Sequence, residues 1–288
     1  MGELGTDITA QTGLLALLGH PVRHSLSPRI HNAALQAQGV NMVYLAFDVP
    51  PSLLSPAVEG LRTLGVRGAN ITIPHKEHVV GLLDRLDPLA DQVGAVNTIV
   101  NDDGVLSGHN TDVEGFQSAL RSLLPEGAEG RRCLVAGAGG AARAVLAALV
   151  AERVQTIWVL NRTLSRAEAL CSTAIEWGAD YCAPITEDHL DQVGPSADVI
   201  VNATSVGLDP AGKGSPFPAD ILNSNQAVID LVYGSAPTAL MRQAQARGAL
   251  TIDGTEMLLI QAANAYRLWT GIDAPLDIMR AVIRRPGT

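Results

Sequence analysis

The sequence is poor in aromatic residues and in positive charge. Phe, Trp and Tyr make up 3% of its 288 residues, so its cores must be built from Ala, Leu, Val and Ile. The formal net charge is −9, and the lysines and arginines form no cluster along the chain. Nucleic acid and anionic membranes are therefore poor partners, because both are bound through clustered positive charge.

Long apolar runs and cysteine pairs are also missing. No uninterrupted apolar stretch reaches the roughly 18 residues that a membrane-spanning helix needs. The first 13 residues lack the basic and apolar regions of a secretory signal, and we interpret them as a short, poorly ordered extension. Cys133, Cys171 and Cys182 are odd in number and form no CxxC motif, which favours a reduced protein in the cytoplasm.

What the sequence does contain is an alternation of apolar runs with amphipathic segments. We predict strands at 14–19, 43–49, 70–73, 133–138, 156–161, 198–204, 227–233 and 249–253. Strands that are apolar throughout and separated by helices favour parallel sheets covered on both faces. The predicted class is α/β. The length suggests two domains of about 150 residues each, and the polar stretch 122–132 is interpreted as a connection between them.

A pattern for dinucleotide binding begins at residue 133. An apolar strand runs into a loop that fits G-x-G-x-x-A, and a helix follows. The glycines permit a tight turn, and they let backbone N–H groups approach a pyrophosphate at the helix N-terminus. A glycine-rich turn without a ligand is the alternative, but the order of strand, loop, helix and second strand favours a cofactor. The predicted contacts are Gly137, Ala138, Gly139, Gly140, Ala141 and Ala142.

The end of the second strand indicates which dinucleotide is bound. NAD-binding proteins usually place Asp or Glu there to hold the ribose 2′-hydroxyl. This chain has Asn161, Arg162 and Thr163 instead, with Arg166 one turn later. A guanidinium and a hydroxyl suit a 2′-phosphate, and no carboxylate is present to repel it. NADP is therefore the predicted cofactor, and a solvated arginine at a strand end is the alternative.

Polar clusters follow several strands of the first 112 residues. Ser27 before Pro28 is an ordinary helix start, with serine as N-cap, whereas Ser25 has no such structural explanation. Lys76 is predicted in the first turn of a helix, where a cation opposes the macrodipole at a small local cost. The cluster around Asp112 is equally compatible with a capping box, Thr111-x-x-Glu114, and with a site.

A metal centre is not predicted. His75 and His78 are two histidines without further ligands, and they fit a solvated helix face better than a metal site. No HExxH motif is present.

The ordered motifs resemble those of the shikimate dehydrogenase family over about residues 14–285. They are H-S-x-S-P at 24–28, N-x-T-x-P-x-K at 70–76, G-A-V-N-T at 94–98, G-x-N-T-D at 108–112, the glycine-rich loop at 137–142, N-R-T at 161–163, N-A-T-S-x-G at 202–207, and D-G-x-x-M-L-x-x-Q at 253–261 with W-T-G at 269–271. The resemblance implies an N-terminal, mostly parallel α/β substrate-binding domain over 1–112, to which the helices of 254–288 return. It also implies a Rossmann-type, doubly wound NADP-binding domain over 113–253.

The resemblance further implies an activity and residue roles. The activity is reversible hydride transfer between NADPH and 3-dehydroshikimate, which gives shikimate for aromatic amino acid biosynthesis. Lys76 and Asp112 become the catalytic pair. The implied substrate contacts are Ser25, Ser27, Thr72, Asn97, Asp112, Gln261 and Tyr233, and the implied nucleotide contacts beyond the loop are Asn161, Arg162, Thr163, Arg166, Thr204 and Gly254.

The chain departs from the family pattern in three places. Y-N-P-x-x-T is replaced at 233–238 by Y-G-S-A-P-T, while Leu208 and Ala262 replace a common methionine and a common glycine. NAD-preferring quinate/shikimate dehydrogenases and aminoshikimate dehydrogenases share these motifs, so both remain alternatives. A non-catalytic ligand sensor on the same fold is the alternative from another class. The chain is expected to be a monomer or a homodimer that acts on a small molecule.

Overall fold

The computed structural model describes residues 8–208, 214–234 and 236–284. Two compact units divide the chain. The first contains the residues up to Thr111 and those from Leu259 onwards, and the second runs from Asp112 to Leu258. Most of the predicted N-terminal extension lies outside the described residues, as does Ser235 of the altered turn. The segment 122–132, interpreted above as a connection between domains, lies inside the second unit, where it runs from the end of one helix to the start of the next strand.

The first unit contains a six-stranded mixed sheet in the order β2-β1-β3-β5-β6-β4. The strands are β1 (Gly13–Gly19), β2 (Met42–Asp48), β3 (Gly68–Ile71), β4 (Arg85–Leu86), β5 (Thr98–Asp102) and β6 (Val105–His109). Strand β1 pairs in parallel with β2 and β3, whereas β5 runs antiparallel to both β3 and β6. The helices wholly within this unit are α1 (Ser27–Ala37), α2 (Leu54–Thr63), α3 (Pro88–Val93) and α10 (Leu276–Arg284).

Strands β4, β5 and β6 were not predicted from the sequence. Strands β5 and β6 form a hairpin with the two-residue loop Asp103-Gly104, and both loop residues have positive φ angles of 47° and 92°. Asp-Gly between two strands is a strong hairpin signal, because the two-residue turn that matches the twist of the strands needs a positive φ at both residues. The antiparallel hairpin makes the sheet mostly, and not wholly, parallel.

The second unit contains six parallel strands in the order β12-β11-β10-β7-β8-β9. They are β7 (Arg132–Ala136), β8 (Thr156–Leu160), β9 (Cys182–Ile185), β10 (Val199–Asn202), β11 (Ala227–Asp230) and β12 (Leu250–Asp253). Counted from β7, this is the strand order 3-2-1-4-5-6 of the doubly wound dinucleotide-binding fold. The predicted fold class is confirmed, although β9 was not predicted.

Helices cover this parallel sheet. They are α4 (Asp112–Leu123), α5 (Gly140–Ala151), α6 (Leu164–Glu176), α7 (Leu190–Val193) and α8 (Ala239–Ala246), while α9 (Thr255–Thr270) begins in the second unit and continues into the first. Helix α5 is rich in alanine and apolar on nearly every side, and most of its residues are buried. This composition suits a helix enclosed between a sheet and neighbouring helices. Among the described residues, no helix has the length and apolarity to cross a bilayer.

Candidate active site

The glycine-rich loop lies where strand order reverses in the second unit, between β7 and β10. Gly137 follows β7 with a φ of +113°, a conformation that L side chains rarely adopt. A Cβ atom at this position would lie 2.9 Å from the carbonyl oxygen of Ala203. Gly139 is the N-cap of α5, so the first N–H groups of that helix face the loop. This arrangement can accept a pyrophosphate at the carboxyl edge of the sheet.

The predicted 2′-phosphate contacts lie at the carboxyl end of β8. Arg162, Thr163 and Arg166 are all exposed at the start of α6. The Asn161 side-chain Nδ2 donates to the carbonyl oxygen of Thr163 at 2.8 Å, which shapes the turn between strand and helix. Because 161–166 contains two arginines and no carboxylate, its charge fits NADP better than NAD.

Thr204 lies beyond β10 in a tight turn that Asn202 organises. The buried Asn202 side chain accepts from the Thr204 amide at 3.0 Å and from its hydroxyl at 2.7 Å. It also donates to the carbonyl oxygen of Val206 at 3.0 Å. The predicted contact Thr204 is thus held at the same edge as the glycine loop.

Gly254 has a packing role in the structure. A Cβ atom there would lie 2.2 Å from the carbonyl oxygen of Leu231, so only glycine fits this approach of two backbone segments. Its assignment as a cofactor contact remains a prediction. Tyr233 is half-buried in the neighbouring segment.

Polar residues of the first unit also collect at one edge of its sheet. Strands β1 and β3 end there, and the antiparallel strand β5 begins there, since Asn70 pairs with Thr98. Asn97 precedes β5 and Thr111 follows β6, so the unpredicted hairpin brings both to this edge. Thr72 follows β3, and its amide donates to the carbonyl oxygen of Leu18 at 2.9 Å.

Asn97 is the centre of a largely buried polar network. Its side-chain Oδ1 accepts from the Thr111 backbone amide at 2.8 Å, and its Nδ2 donates to the Thr111 hydroxyl at 2.9 Å and to Gln261 Oε1 at 3.4 Å. The Thr111 hydroxyl also lies 3.1 Å from the carbonyl oxygen of Gln261. The structure therefore brings the predicted substrate contacts Asn97 and Gln261 together through a residue, Thr111, that was considered only as a possible helix cap.

The roles expected for the two serines are partly wrong. Helix α1 starts at Ser27, and no side-chain cap is formed at its N-terminus. Ser25 instead accepts a hydrogen bond from the Ser27 amide at 3.2 Å. Ser25, for which no structural role was expected, thus shapes the start of α1. Ser27 is buried at the first position of the helix.

The expectations around Lys76 also need correction. Lys76 lies in a turn and not in the first turn of a helix, so the argument from the macrodipole does not apply. Its carbonyl oxygen accepts from the Val96 amide at 2.8 Å, which ties it to the segment of Asn97. His75 is buried and its Nε2 lies 2.7 Å from the carbonyl oxygen of Val49, so it is not part of a solvated helix face.

Asp112 starts α4 in the second unit and is 3% exposed. The catalytic pairing of Lys76 with Asp112 remains a prediction. Within the described ranges, no group of three or more His, Cys, Asp or Glu residues could hold a metal ion.

The doubly wound fold, the glycine-rich loop at the edge of the second sheet and the polar cluster at the edge of the first sheet define a dinucleotide-binding α/β protein of the dehydrogenase class. Three family models match the chain: the shikimate dehydrogenase substrate-binding domain at 17–99, shikimate/quinate 5-dehydrogenase at 120–208 and the shikimate 5′-dehydrogenase C-terminal domain at 254–284. Shikimate dehydrogenase (NADP(+)) of Moorella thermoacetica is 47% identical over 285 residues, covering 96% of this chain and 95% of that protein. The chain belongs to the shikimate dehydrogenase family.

Solved structures that resemble more than nine tenths of the chain include the following two. Shikimate 5-dehydrogenase of Thermus thermophilus, in complex with NADP(H) and shikimate, is 40% identical with a TM-score of 0.83, covering 95% of this chain and 99% of that one. Quinate dehydrogenase of Corynebacterium glutamicum, in complex with NAD, is 36% identical with a TM-score of 0.85, covering 94% and 98%.

Proposed function

We propose that this chain catalyses the reversible, NADP-dependent conversion of shikimate to 3-dehydroshikimate, in the cytoplasm, as a step of aromatic amino acid biosynthesis. The observation that carries the choice of cofactor is the end of β8, where Arg162 and Arg166 are exposed and no carboxylate stands among residues 161–166. The substrate is supported by the relatives, which include the shikimate-bound protein of Thermus thermophilus. The three cysteines are free thiols, which suits a reducing compartment.

The two units divide the work in this proposal. The second unit holds NADP through residues 137–142, Asn161, Arg162, Thr163, Arg166, Thr204 and Gly254. The first unit binds the substrate carboxylate and hydroxyls through Ser25, Ser27, Thr72, Asn97 and Gln261, and Tyr233 adds a contact to the carboxylate. The chain works as a monomer or a homodimer.

The chemistry needs a hydride donor and a group that exchanges a proton with the substrate oxygen. Bound NADP supplies or accepts the hydride. Lys76 gives its proton to the ketone oxygen in reduction and takes it from the hydroxyl in oxidation. Asp112 orients the ammonium group of Lys76. The network of Asn97, Thr111 and Gln261 fixes the hydroxyl contacts beforehand, which lowers the entropy lost on binding.

NAD-dependent quinate oxidation is the second candidate, because the quinate dehydrogenase of Corynebacterium glutamicum is similar over nearly the whole chain. Steady-state assays of shikimate and quinate, each with NADP⁺ and with NAD⁺, separate the two. The highest kcat/KM is expected for shikimate with NADP⁺. A higher value for quinate with NAD⁺ would overturn the proposal, and turnover of neither substrate by a folded protein would favour the ligand sensor.

A further inference from the structure

The second unit buries a carboxylate that the residue roles above do not use. Asp230 is the last residue of β11, at the same carboxyl edge as the glycine loop, and it is 0% exposed. The rest of the strand is Ala-Val-Ile. Burying a carboxylate costs free energy unless hydrogen bonds stabilise it. The hydrogen-bond donors around Asp230 therefore indicate its role.

Three donors meet the Asp230 carboxylate. Asn202 Nδ2 donates to Oδ1 at 2.8 Å, and the Val232 amide donates to the same oxygen at 3.1 Å. The Thr238 hydroxyl donates to Oδ2 at 2.5 Å. Asp230 therefore joins the end of β10, the backbone just before Tyr233, and the N-terminus of α8.

The acceptor-only chemistry of a carboxylate sets the orientation of the Asn202 amide. Because Nδ2 must point to Asp230 and to the carbonyl oxygen of Val206, the Asn202 oxygen faces the other way, where it accepts both hydrogen bonds from Thr204. A rotated amide would place its NH₂ group against the N–H of Thr204. The carboxylate thus determines, through Asn202, where the Thr204 hydroxyl lies.

The same carboxylate is hydrogen-bonded to Val232 and to Thr238, which lie just before and at the end of the altered sequence 233–238. Thr238 keeps its position as the N-cap of α8 and accepts from the Met241 amide at 3.2 Å while it donates to Asp230. The segment is thus tied at Val232 and at Thr238, on either side of the part that departs from the family pattern. Asp230 holds both ends of the segment that carries Tyr233.

We propose that Asp230 is a positioning residue for the dinucleotide, acting through Asn202 on Thr204 and through Val232 on the Tyr233 segment. This rests on the proposed function, in which Thr204 contacts NADP. Asp230 itself touches neither ligand and carries no proton in the reaction.

The test compares Asp230→Ala and Asp230→Asn with Asp198→Ala. Asp198 is a second carboxylate of the same unit, at the opposite edge of the sheet, where it accepts from the backbone and guanidinium of Arg132. Titration calorimetry with NADP⁺ should show a dissociation constant raised about tenfold or more in Asp230→Ala. Asp230→Asn, whose oxygen can still accept from Asn202, should recover most of this loss, and Asp198→Ala should bind within about twofold of wild type.

Amide hydrogen exchange supplies a readout that needs no ligand. The amides of Thr204 and Val206 should exchange faster in Asp230→Ala and not in Asp198→Ala. Unchanged NADP⁺ affinity and unchanged exchange in Asp230→Ala would overturn this inference while leaving the proposed function intact. A wild-type chain that binds NAD⁺ in preference to NADP⁺ would instead contradict the proposed cofactor, and the exchange comparison would still decide the role of Asp230. If Asp230→Ala does not fold, Asp230→Ser takes its place, because the shorter side chain cannot bridge Asn202 and Thr238. Faster exchange at Thr204 with weaker NADP⁺ binding supports the inference, and values of both equal to those of Asp198→Ala overturn it.

Discussion

The two units gather polar groups at the edges of their sheets by different means. In the first unit, side chains hold the site together: the buried Asn97 and Thr111 and the half-buried Gln261 are hydrogen-bonded to one another. In the second unit, the backbone does much of this, since Gly137 leaves room for a loop that presents N–H groups. The side-chain network of the first unit should therefore be sensitive to the loss of side-chain atoms. The backbone loop of the second unit should be sensitive to the addition of a single carbon at Gly137.

The largest effect is expected for Lys76→Ala, which removes the proposed proton-exchanging group from the first unit. It should lower kcat by about 10²–10⁴-fold, with a smaller change in KM. Asp112→Asn should impair the same step, and the double variant should be no worse than the worse single variant, because groups that act as a unit are not additive. Steady-state kinetics with shikimate and NADP⁺ measures all three. A kcat near that of wild type in Lys76→Ala would show that another group exchanges the proton.

Arg162→Ala tests the charge at the end of β8 in the second unit. A hydrogen bond to a charged group contributes roughly 1.5–3 kcal/mol, so KM for NADP⁺ should rise by about tenfold or more while turnover with NAD⁺ is nearly unchanged. High salt should weaken NADP⁺ binding more than NAD⁺ binding, because the contact is exposed. Arg247→Ala, which removes another exposed arginine of this unit, is the control. Equal loss with both cofactors would place the 2′-phosphate elsewhere.

Gly137→Ala tests the backbone site by adding one carbon. The new Cβ would meet the carbonyl oxygen of Ala203 at 2.9 Å and would strain a φ of +113°, at a cost of about 1–3 kcal/mol. Gly130→Ala is the matched control, since Gly130 has a φ of +71° but no heavy atom within 4 Å of the added carbon. Both variants should lose stability, and only Gly137→Ala should raise KM for NADP⁺, by roughly tenfold. Similar NADP⁺ constants in the two variants would mean that the loop does not hold the pyrophosphate.

His31 gives the first unit a dependence on pH. It is fully buried and stacked on Tyr44 with ring centroids 4.5 Å apart, and burial lowers its pKa from 6.5 to about 3. Because the unfolded chain takes up this proton first, the free energy of unfolding should fall by roughly 1.4 kcal/mol per pH unit as pH drops below about 6. Urea denaturation at several pH values should show a shallower slope for His31→Phe than for wild type. His78→Phe, at an exposed position, should keep the wild-type slope, and equal slopes in all three would refute the assignment.

The smallest effects concern the two serines. Ser25→Ala should cost about 0.5–2 kcal/mol of stability, since Ser25 accepts from the backbone at the entry of α1. Ser27→Ala should cost no capping energy, because the Ser27 side chain makes no cap. Thermal unfolding separates them, and a larger loss in Ser27→Ala would reverse the assignment. Both variants should raise KM for shikimate.

The second unit was the easier of the two to predict from the sequence. Its four central strands, β7, β8, β10 and β11, are parallel and mostly buried, so their apolar runs are visible in the sequence, and the loop at 137–142 has a known spacing. The more exposed edge strand β9 was missed. The first unit depends on the hairpin of β5 and β6, whose residues mix polar and apolar types. Its only clear local signal was Asp103-Gly104. Without that hairpin, the meeting of Asn97 with Thr111 could not be derived.

The missed residues share a physical reason. Asp230, Asn202 and His75 take their roles from partners 26 or 28 residues away in the chain, which are Asn202, Asp230 and Val49. A single charged residue at the end of an apolar strand was the available signal for Asp230. Its partners became visible only once the order of the strands was known.

The assignment of shikimate to the first unit and of NADP⁺ to the second is tested most directly by comparing one variant from each unit. KM for shikimate and KM for NADP⁺ are measured in Ser27→Ala and in Arg162→Ala at saturating concentrations of the other substrate. Ser27→Ala should raise KM for shikimate alone, severalfold, because it removes a hydroxyl contact. Arg162→Ala should raise KM for NADP⁺ alone, by more than about tenfold, because it removes a charged contact. A rise of KM for NADP⁺ in Ser27→Ala, or of KM for shikimate in Arg162→Ala, would contradict this assignment.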